Sequence, residues 1–334
     1  MTLTVNRIRL GNTEFEGENS VYVLGTAADE QTTLIDTSVR TPETLDALRS
    51  GLAEHGQSLA DVEQVVLTHW HPDHAGLAGT VQEESGATVF VHEADAALVA
   101  QEDEAWDVFE ARQRTLLREW GLPKPIQKAV LATAEKVGRL DGPAPTIERI
   151  SAGDELDCAT GLETVHLPGH TEGLVGFAFD GNAGRELFSG DALLPDITPN
   201  VGGADVRLDN PLAAYLDTLS HFIDSDYDRA WPGHGDVMET PAERAREIRN
   251  HHRERAENIL DVLADHGSAD PWSVAGHLFG ELDGIHVLHG PGEAYAHLEH
   301  LAESGAVRRV ENEYELVEHP DLDALFGDAV AVRQ

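Results

Sequence analysis

The sequence has few of the residues that would place the protein in several common classes. Its 334 residues include a single cysteine, Cys158, so the chain cannot form an internal disulfide or a thiolate cluster for zinc. We expect Cys158 to be a small buried hydrophobic residue. No apolar run approaches the roughly 20 residues that cross a bilayer, and the N-terminus lacks an apolar stretch followed by a small-residue cleavage site. These features predict a cytoplasmic protein.

Basic residues are also scarce. The chain has 23 Lys and Arg against 61 Asp and Glu, for a formal net charge of −38, and the acidic residues are spread along its length. A dispersed excess indicates a solvated folded surface. Its self-repulsion would be screened in molar salt, where the Debye length is about 3 Å. The composition resembles that of a halophile's protein, the alternative being an ordinary acidic protein. In either case nucleic acid is an unfavourable partner, because binding its backbone requires Lys and Arg.

The order of the apolar runs predicts an α/β protein. Short runs of alternating polarity over residues 1–40 indicate antiparallel strands, and a helix opens at Pro42. Strands then alternate with helices as far as residue 92, which is typical of an α/β sheet, and strands return over residues 147–190. Residues 94–140 are instead helical, with a break at 121–125, and this indicates an inserted helical pair. Helices are predicted at 211–224 and 240–266, with a short strand between them.

The composition changes after residue 268. Helices are predicted over 272–279 and 292–304, followed by a hairpin with Glu311 and Asn312 at its turn. This order is typical of a winged helix, so we predict a winged-helix-like domain over 251–334, after a larger domain over 1–250. Its acidic residues greatly outnumber its basic ones, and its second helix has no Lys or Arg. We therefore expect it to pack on the larger domain, wall a cleft or mediate a homodimer rather than bind nucleic acid.

The strongest chemical signal lies directly after a predicted buried strand at 62–68. Residues 68–74 read Thr-His-Trp-His-Pro-Asp-His, which places His69, His71, Asp73 and His74 within six residues. A turn that leaves a strand end can direct alternate side chains toward one point. Imidazole nitrogen and carboxylate oxygen suit Zn²⁺. The alternative is a chance histidine-rich turn in a chain that has 18 histidines.

Four further polar residues each follow a predicted strand. They are Asp36 after Leu-Ile, His170 after Pro-Gly, Asp191 after Ser-Gly and His234 after Pro-Gly. Three of them follow glycine, where the backbone can turn tightly. Each motif is weak evidence by itself, but five in this order form a specific pattern and argue against a chance turn.

This order of motifs resembles the metallo-β-lactamase superfamily over about residues 3–240. The resemblance implies a four-layer αββα sandwich with two metal ions, Zn²⁺ or, with the same mixed ligands, Fe or Mn. It implies that Asp191 bridges the metals and that Asp36 orients the histidine loop. One departure is Ser38, where the family usually has glycine; it affects the turn but removes no ligand. The implied ligands are His69, His71 and His170 for the first metal, and Asp73, His74 and His234 for the second.

The resemblance also implies a mechanism, in which hydroxide bridging the metals attacks an acyl carbon or a phosphorus. Asp73 is predicted to have a catalytic role as well, by orienting the hydroxide or accepting its proton. Asp73 and Asp191 favour the glyoxalase II and ribonuclease branches over the true lactamases. We predict hydrolysis of a small carboxylic thioester or ester. The alternatives are a phosphodiesterase or endoribonuclease, and a non-catalytic binding protein; a flavodiiron-type redox site is disfavoured by His71.

The inserted helices contain several large apolar side chains, including Trp106, Phe109 and Trp120. Their pattern permits two interpretations: they form an apolar lid over the substrate, or they pack in the core of the insertion. A lid would favour an acyl or aromatic substrate over a polyanion.

Overall fold

The computed structural model describes residues 3–11, 17–25, 31–134, 140–158 and 161–327, and it contains two large β-sheets. The end of the predicted insertion, residues 135–139, lies outside the described residues, as do residues 328–334 of the predicted C-terminal domain.

The first sheet contains the early part of the chain. Its strands, in spatial order, are β1 (Asn6–Leu10), β2 (Asn19–Leu24), β3 (Thr32–Ile35), β4 (Val62–Val66), β5 (Thr88–His92) and β6 (Ile147–Ile150). The first three strands are antiparallel, as the alternating polarity predicts, and β3 to β6 are parallel. Parallel neighbours require crossover connections. Helices supply them: α1 (Pro42–Glu54), α2 (Pro72–Ala75), α3 (Ala78–Ser85), α4 (Glu93–Val99), α5 (Asp103–Glu119) and α6 (Lys124–Thr133).

The second sheet is mostly antiparallel. Its strands, in spatial order, are β7 (Glu155–Leu156), β8 (Leu162–His166), β9 (Val175–Asp180), β10 (Arg185–Gly190) and β11 (Arg229–Pro232). Only the β10–β11 pair is parallel among these strands, and α7 (Pro211–Asp224) provides its crossover. The helix α8 (Pro241–His266) follows the sheet.

The two sheets pack face to face, with helices on both outer faces. Tyr22 and Leu24 of β2 belong to the core between the sheets, together with Phe177 of β9. The residues that alternate with them, Val21 and Val23, belong to a different core, which the first sheet forms with its helices. Successive side chains of a strand point to opposite faces, so each sheet is buried on both sides. This arrangement confirms the predicted four-layer α/β sandwich. Cys158 is buried between the sheets, as expected.

The C-terminal part contains the predicted helices and hairpin in the predicted order. They are α9 (Pro271–Phe279), α10 (His286–Glu303), β12 (Val307–Val310), β13 (Glu313–Leu316) and a short final helix α11 (Leu322–Phe326). The helix α10 begins six residues before the predicted start at Gly292. A Cβ atom at Gly292 would lie 2.3 Å from the Cα atom of Gly203, so glycine is needed there for close packing and does not mark a helix end. The winged-helix classification remains a prediction.

The predicted domain boundary at residue 250 falls inside α8, which is one continuous helix. Residues of α8 on both sides of this point, including Ile248 and Ile259, share a core with Leu187 of β10 and Leu298 of α10. The division into two domains therefore remains a prediction. Across the described ranges, no helix is both long enough and apolar enough to cross a membrane.

Two fully buried histidines, His252 of α8 and His297 of α10, lie on the helices that form this core. His252 Nδ1 is 3.2 Å from His297 Nε2, and His297 Nδ1 donates to the Glu293 carbonyl at 2.7 Å. Burial holds the pKa of both imidazoles well below its ordinary value, and the nearby Arg255 lowers both further. The other groups facing the pair are the His251 and His300 imidazoles and the Tyr215 ring. Both histidines are therefore neutral in the folded protein.

We expect the metal-free protein to lose stability as pH falls below about 6.5, the ordinary histidine pKa. Below this pH the unfolded chain binds protons that the buried pair cannot accept, at a cost of about 1.4 kcal/mol per histidine per pH unit. Urea denaturation between pH 5.5 and 7.5 should show a shallower loss for His297→Gln than for the wild type. His319→Gln, which alters an exposed histidine, should match the wild type. Equal slopes for His297→Gln and wild type would contradict this prediction.

Candidate metal centre

The seven predicted ligands meet at one place, where strands of both sheets end. The loop after β4 contributes His69 to His74, and the ends of β8, β10 and β11 contribute His170, Asp191 and His234. Each of the seven side chains is at most 9% exposed. Asp73 and His74 lie on the short helix α2, although the sequence suggested a loop. The residue Pro72 begins this helix, because its fixed φ suits the first helical position.

Three overlapping groups of side chains offer ligand atoms that lie within 4.8 Å of one another. These groups, found among the described residues, are His69, His71 and His170; His69, His74 and Asp191; and Asp73, His74 and His234. In the first group, His71 Nδ1 lies 3.1 Å from His69 Nε2 and 3.0 Å from His170 Nε2. In the third, Asp73 Oδ2 lies 3.3 Å from His234 Nε2. Each group could hold one cation.

Asp191 lies between the first and third groups. Its Oδ2 atom is 3.7 Å from His170 Nε2, and 3.5 Å from the Nε2 atoms of both His74 and His234. A single carboxylate oxygen therefore faces side chains of both groups. This is the position that a ligand shared by two metals would need.

The donor set fits divalent metal ions. Within the described part of the chain, His74 Nε2 and Asp191 Oδ1 are buried and have no hydrogen-bond partner. Buried polar atoms without partners are costly and rare in folded proteins. A cation between these atoms would satisfy both, and mixed imidazole and carboxylate ligands suit Zn²⁺, Fe and Mn.

The protonation states differ between the two halves of the cluster. Burial lowers the pKa of His71 to about 3 and also lowers those of His69 and His170, so these imidazoles are neutral, as metal ligands must be. Burial also opposes charge on His74, but the Asp191 carboxylate raises the pKa of His74 above its ordinary value. Burial would raise the pKa of Asp73, yet His74 and His234 bring it down to about 2. The carboxylate-containing half therefore attracts positive charge.

Asp36 fixes the start of the histidine loop. Its carboxylate accepts hydrogen bonds from the Thr68 amide and hydroxyl, both at 2.8 Å, and faces His74 Nδ1 at 2.9 Å. Both Asp36 and Ser38 have positive φ, at 61° and 76°. Serine adopts this left-handed region less readily than the glycine usual in the family. The Ser38 hydroxyl donates to Asn19 Oδ1 at 3.4 Å, so the turn keeps a side-chain contact that glycine would lack.

Several residues that orient the ligands were not identified from the sequence. Asn19 Nδ2 donates to Asp73 Oδ2 at 3.3 Å, the Asn200 carbonyl faces His170 Nδ1 at 2.8 Å, and the Glu18 carbonyl faces His234 Nδ1 at 3.3 Å. Two of these contacts use backbone carbonyls, which any residue type supplies. Asn19 is the first residue of β2, but its sequence neighbourhood has no recognisable motif.

The aromatic residues of the insertion pack in the core. Trp106 and Phe109 are at most 5% exposed, and their rings contact Trp70 with centroids 5.5 and 5.3 Å away. Trp70 lies between two predicted ligands and its ring contacts that of His71. Trp120 is fully buried and contacts Tyr295 of α10. Trp106 and Phe109 therefore pack against the histidine loop, and none of the three side chains forms an exposed lid.

Comparison with known proteins identifies similar chains. Residues 15–234 match the family described as the metallo-beta-lactamase superfamily. A Bacillus subtilis protein named "Probable metallo-hydrolase YqjP" is 30% identical over 69% of this chain and 72% of its own length. A Caenorhabditis elegans protein named "Beta-lactamase-like protein 2 homolog" is 26% identical over 80% of this chain and 72% of its own.

Two solved structures are similar over nearly the whole chain. A metallo-beta-lactamase family protein from Thermus thermophilus is 31% identical, with a TM-score of 0.79, over 95% of this chain and 99% of its own. A beta-lactamase domain protein from Burkholderia ambifaria has a TM-score of 0.77 over 94% of this chain and 92% of its own. The second is 23% identical and supports the fold alone.

Proposed function

Because this chain belongs to the metallo-beta-lactamase superfamily and is a hydrolase of that superfamily, we propose that it uses two metal ions to hydrolyse a small carboxylic thioester or ester. The observation that carries the dinuclear proposal is the position of Asp191. Its Oδ2 atom faces His170 of the three-histidine group as well as His74 and His234 of the other group. A mononuclear site would need only one of these groups.

The proposed roles of the residues follow from their contacts. His69, His71 and His170 would hold one ion, and Asp73, His74 and His234 the other, with Asp191 shared. When bound, two Zn²⁺ ions would make hydroxide available near neutral pH and polarise the group that is attacked. Fe or Mn would also suit this ligand set.

We propose two roles for Asp73: it binds a metal ion, and it orients the nucleophile or accepts its proton. Its Oδ2 atom accepts from Asn19 Nδ2 and faces His234 Nε2, and these contacts hold its carboxylate in one orientation. The low pKa of Asp73 keeps the group ionised. An ionised carboxylate at this position can accept a hydrogen bond from the nucleophile and orient it toward the substrate.

The charges near the site favour a small molecule over a nucleic acid. A cavity of about 270 Å³ is lined in part by Gly235, the residue after His234, and its walls include Arg7, Arg9 and three acidic residues, Glu18, Asp196 and Asp236. Both arginines are already paired with Asp236. A polyanion would meet net negative charge there.

The hairpin of β12 and β13, which is the predicted wing, also argues against nucleic-acid binding, because its two arginines already form ion pairs. Arg308 pairs with Glu315, and Arg309 pairs with Glu119 of α5 and Glu299 of α10. Binding a phosphate backbone would require breaking these pairs. We therefore favour ester or thioester hydrolysis over phosphodiester or RNA cleavage.

A parallel activity screen tests this proposal. The zinc-loaded protein, in molar KCl, is assayed on acyl thioesters, p-nitrophenyl esters, bis(p-nitrophenyl) phosphate and RNA. We expect hydrolysis of a thioester or ester that a chelator abolishes and added Zn²⁺ restores. His170→Ala should lose this activity, whereas His319→Ala, which alters an exposed histidine, should keep it. Faster cleavage of the phosphodiester or RNA would favour the alternative reaction, and metal binding without any hydrolysis would favour a binding protein.

A further inference from the structure

Two buried carboxylates and a partly buried arginine lie between the two loops that carry the first group of predicted ligands. Arg207, from the segment between β10 and α7, pairs with Asp95 of α4 at 2.6 Å and with Asp205, which its Nε atom contacts at 3.0 and 3.1 Å. Both carboxylates are fully buried. None of the three contributes to a candidate ligand group among the described residues.

Asp95 connects the histidine loop to the loop that contains His170. One of its oxygens accepts a hydrogen bond from the Trp70 amide at 3.1 Å. The other accepts from the Gly173 amide at 3.1 Å. A Cβ atom on Gly173 would lie 2.4 Å from the Asp95 carboxyl, so the two are packed without spare room. One carboxylate thus contacts both ligand-bearing loops.

Asp205 makes the same connection through different atoms. Its Oδ2 atom accepts from the Trp70 indole Nε1 at 3.2 Å and from the Glu172 amide at 3.0 Å. The two carboxylates therefore fix Trp70, which precedes His71, and the residues that follow His170. Arg207 contacts both carboxylates with one nitrogen atom, and without this cation two buried negative charges would face each other unpaired.

We propose that Arg207, together with Asp95 and Asp205, is a positioning group that sets the spacing of His71 and His170. The group acts through hydrogen bonds to Trp70 and to residues 171–173, none of which is a predicted ligand. Its effect is to raise the metal affinity of the three-histidine half specifically. This inference rests on the proposed dinuclear centre, but it concerns metal affinity and not the reaction.

The test measures zinc affinity separately in each half of the site. A His234→Ala background leaves the three-histidine half intact, and a His71→Ala background leaves the other. Zinc affinity is measured in full-length protein by competition with a chromophoric chelator. Adding Arg207→Met should weaken binding about 10- to 100-fold in the first background, as is typical when partners of a metal ligand are lost, and by less than about twofold in the second.

Arg255→Met provides the matched control. Arg255 pairs with Glu293 in the C-terminal helices, and its side chain is 15% exposed, as is that of Arg207. It should lower thermal stability without changing zinc affinity in either background. Arg207→Lys, which keeps the charge, should recover part of the lost affinity.

The inference would be overturned if Arg207→Met weakened zinc binding equally in both backgrounds, or if it weakened zinc binding in neither. If Arg207→Met does not fold, Asp205→Asn replaces it, because this variant keeps the shape and removes one charge. Wild-type affinity of the three-histidine half in Asp205→Asn would overturn the inference equally. Absence of zinc binding in both backgrounds without any Arg207 change would instead contradict the proposed function.

Discussion

The Asp191→Ala variant is expected to lose at least about a thousandfold in kcat/KM, with one metal ion bound in place of two. Asp191 Oδ2 is the atom that faces both groups of candidate ligands, so its removal takes a ligand from each half. The two metals are expected to supply several kcal/mol of stabilisation to the transition state, and each 1.4 kcal/mol corresponds to tenfold in rate. Metal content by mass spectrometry, measured beside kcat/KM, tests both parts of this expectation.

Asp209→Ala is the matched control for this variant. Asp209 lies in the same segment between β10 and α7, but its side chain is exposed and belongs to none of the candidate ligand groups found among the described residues. It should bind two metals and turn over at close to the wild-type rate. Unchanged turnover in Asp191→Ala, with two metals bound, would exclude the shared-ligand scheme.

Raising KCl from 0.1 to 2 M is expected to increase the free energy of unfolding by several kcal/mol. The chain has a formal net charge of −38, and salt screens the repulsion among its surface carboxylates. Urea denaturation at a series of KCl concentrations measures the increase. Sucrose serves as the comparison, because it stabilises folded proteins by exclusion but does not screen charge.

A variant with fewer surface charges separates screening from other effects of salt. Four exposed acids distributed over the first sheet and its helices can be neutralised together: Glu54→Gln, Glu63→Gln, Asp107→Asn and Glu148→Gln. The added KCl should stabilise this variant less than it stabilises the wild type. The gain should still exceed the gain of the wild type in sucrose. An equal gain in both proteins would argue against repulsion as the cause and against adaptation to high salt.

The sequence was sufficient to predict the layers and the residues that meet at the candidate metal centre. Side chains of β2 alternate between the two cores, and the period of two that strands impose is visible in the sequence of residues 1–40 as alternating polarity. These residues could be predicted because each follows a strand and has glycine or another candidate ligand within two positions. Both kinds of signal are local, so a single sequence records them.

Apart from Asp36, the residues that contact the candidate ligands or their loops could not be predicted, because their partners are distant in the chain. Asp95 and Arg207 are separated by 112 positions, and neither has a neighbour that indicates its role. A buried arginine looks the same in a sequence as the arginines on an acidic surface. The sequence also could not decide whether Trp106 and Phe109 form a lid or pack in the core, since an apolar lid and an apolar core require the same residue types. Homodimer formation likewise remains a prediction.

The continuity of α8 bears on how a substrate would reach the candidate metal centre. Hinge motions are absorbed by loop or element-terminal residues that change φ and ψ, whereas α8 is helical from Pro241 to His266 and buries residues from Ala245 to Leu263. The C-terminal helices are thus joined to the second sheet by one continuous helix and a shared core. We therefore expect them to move together with this sheet, and we expect the candidate site to keep its shape when a substrate enters.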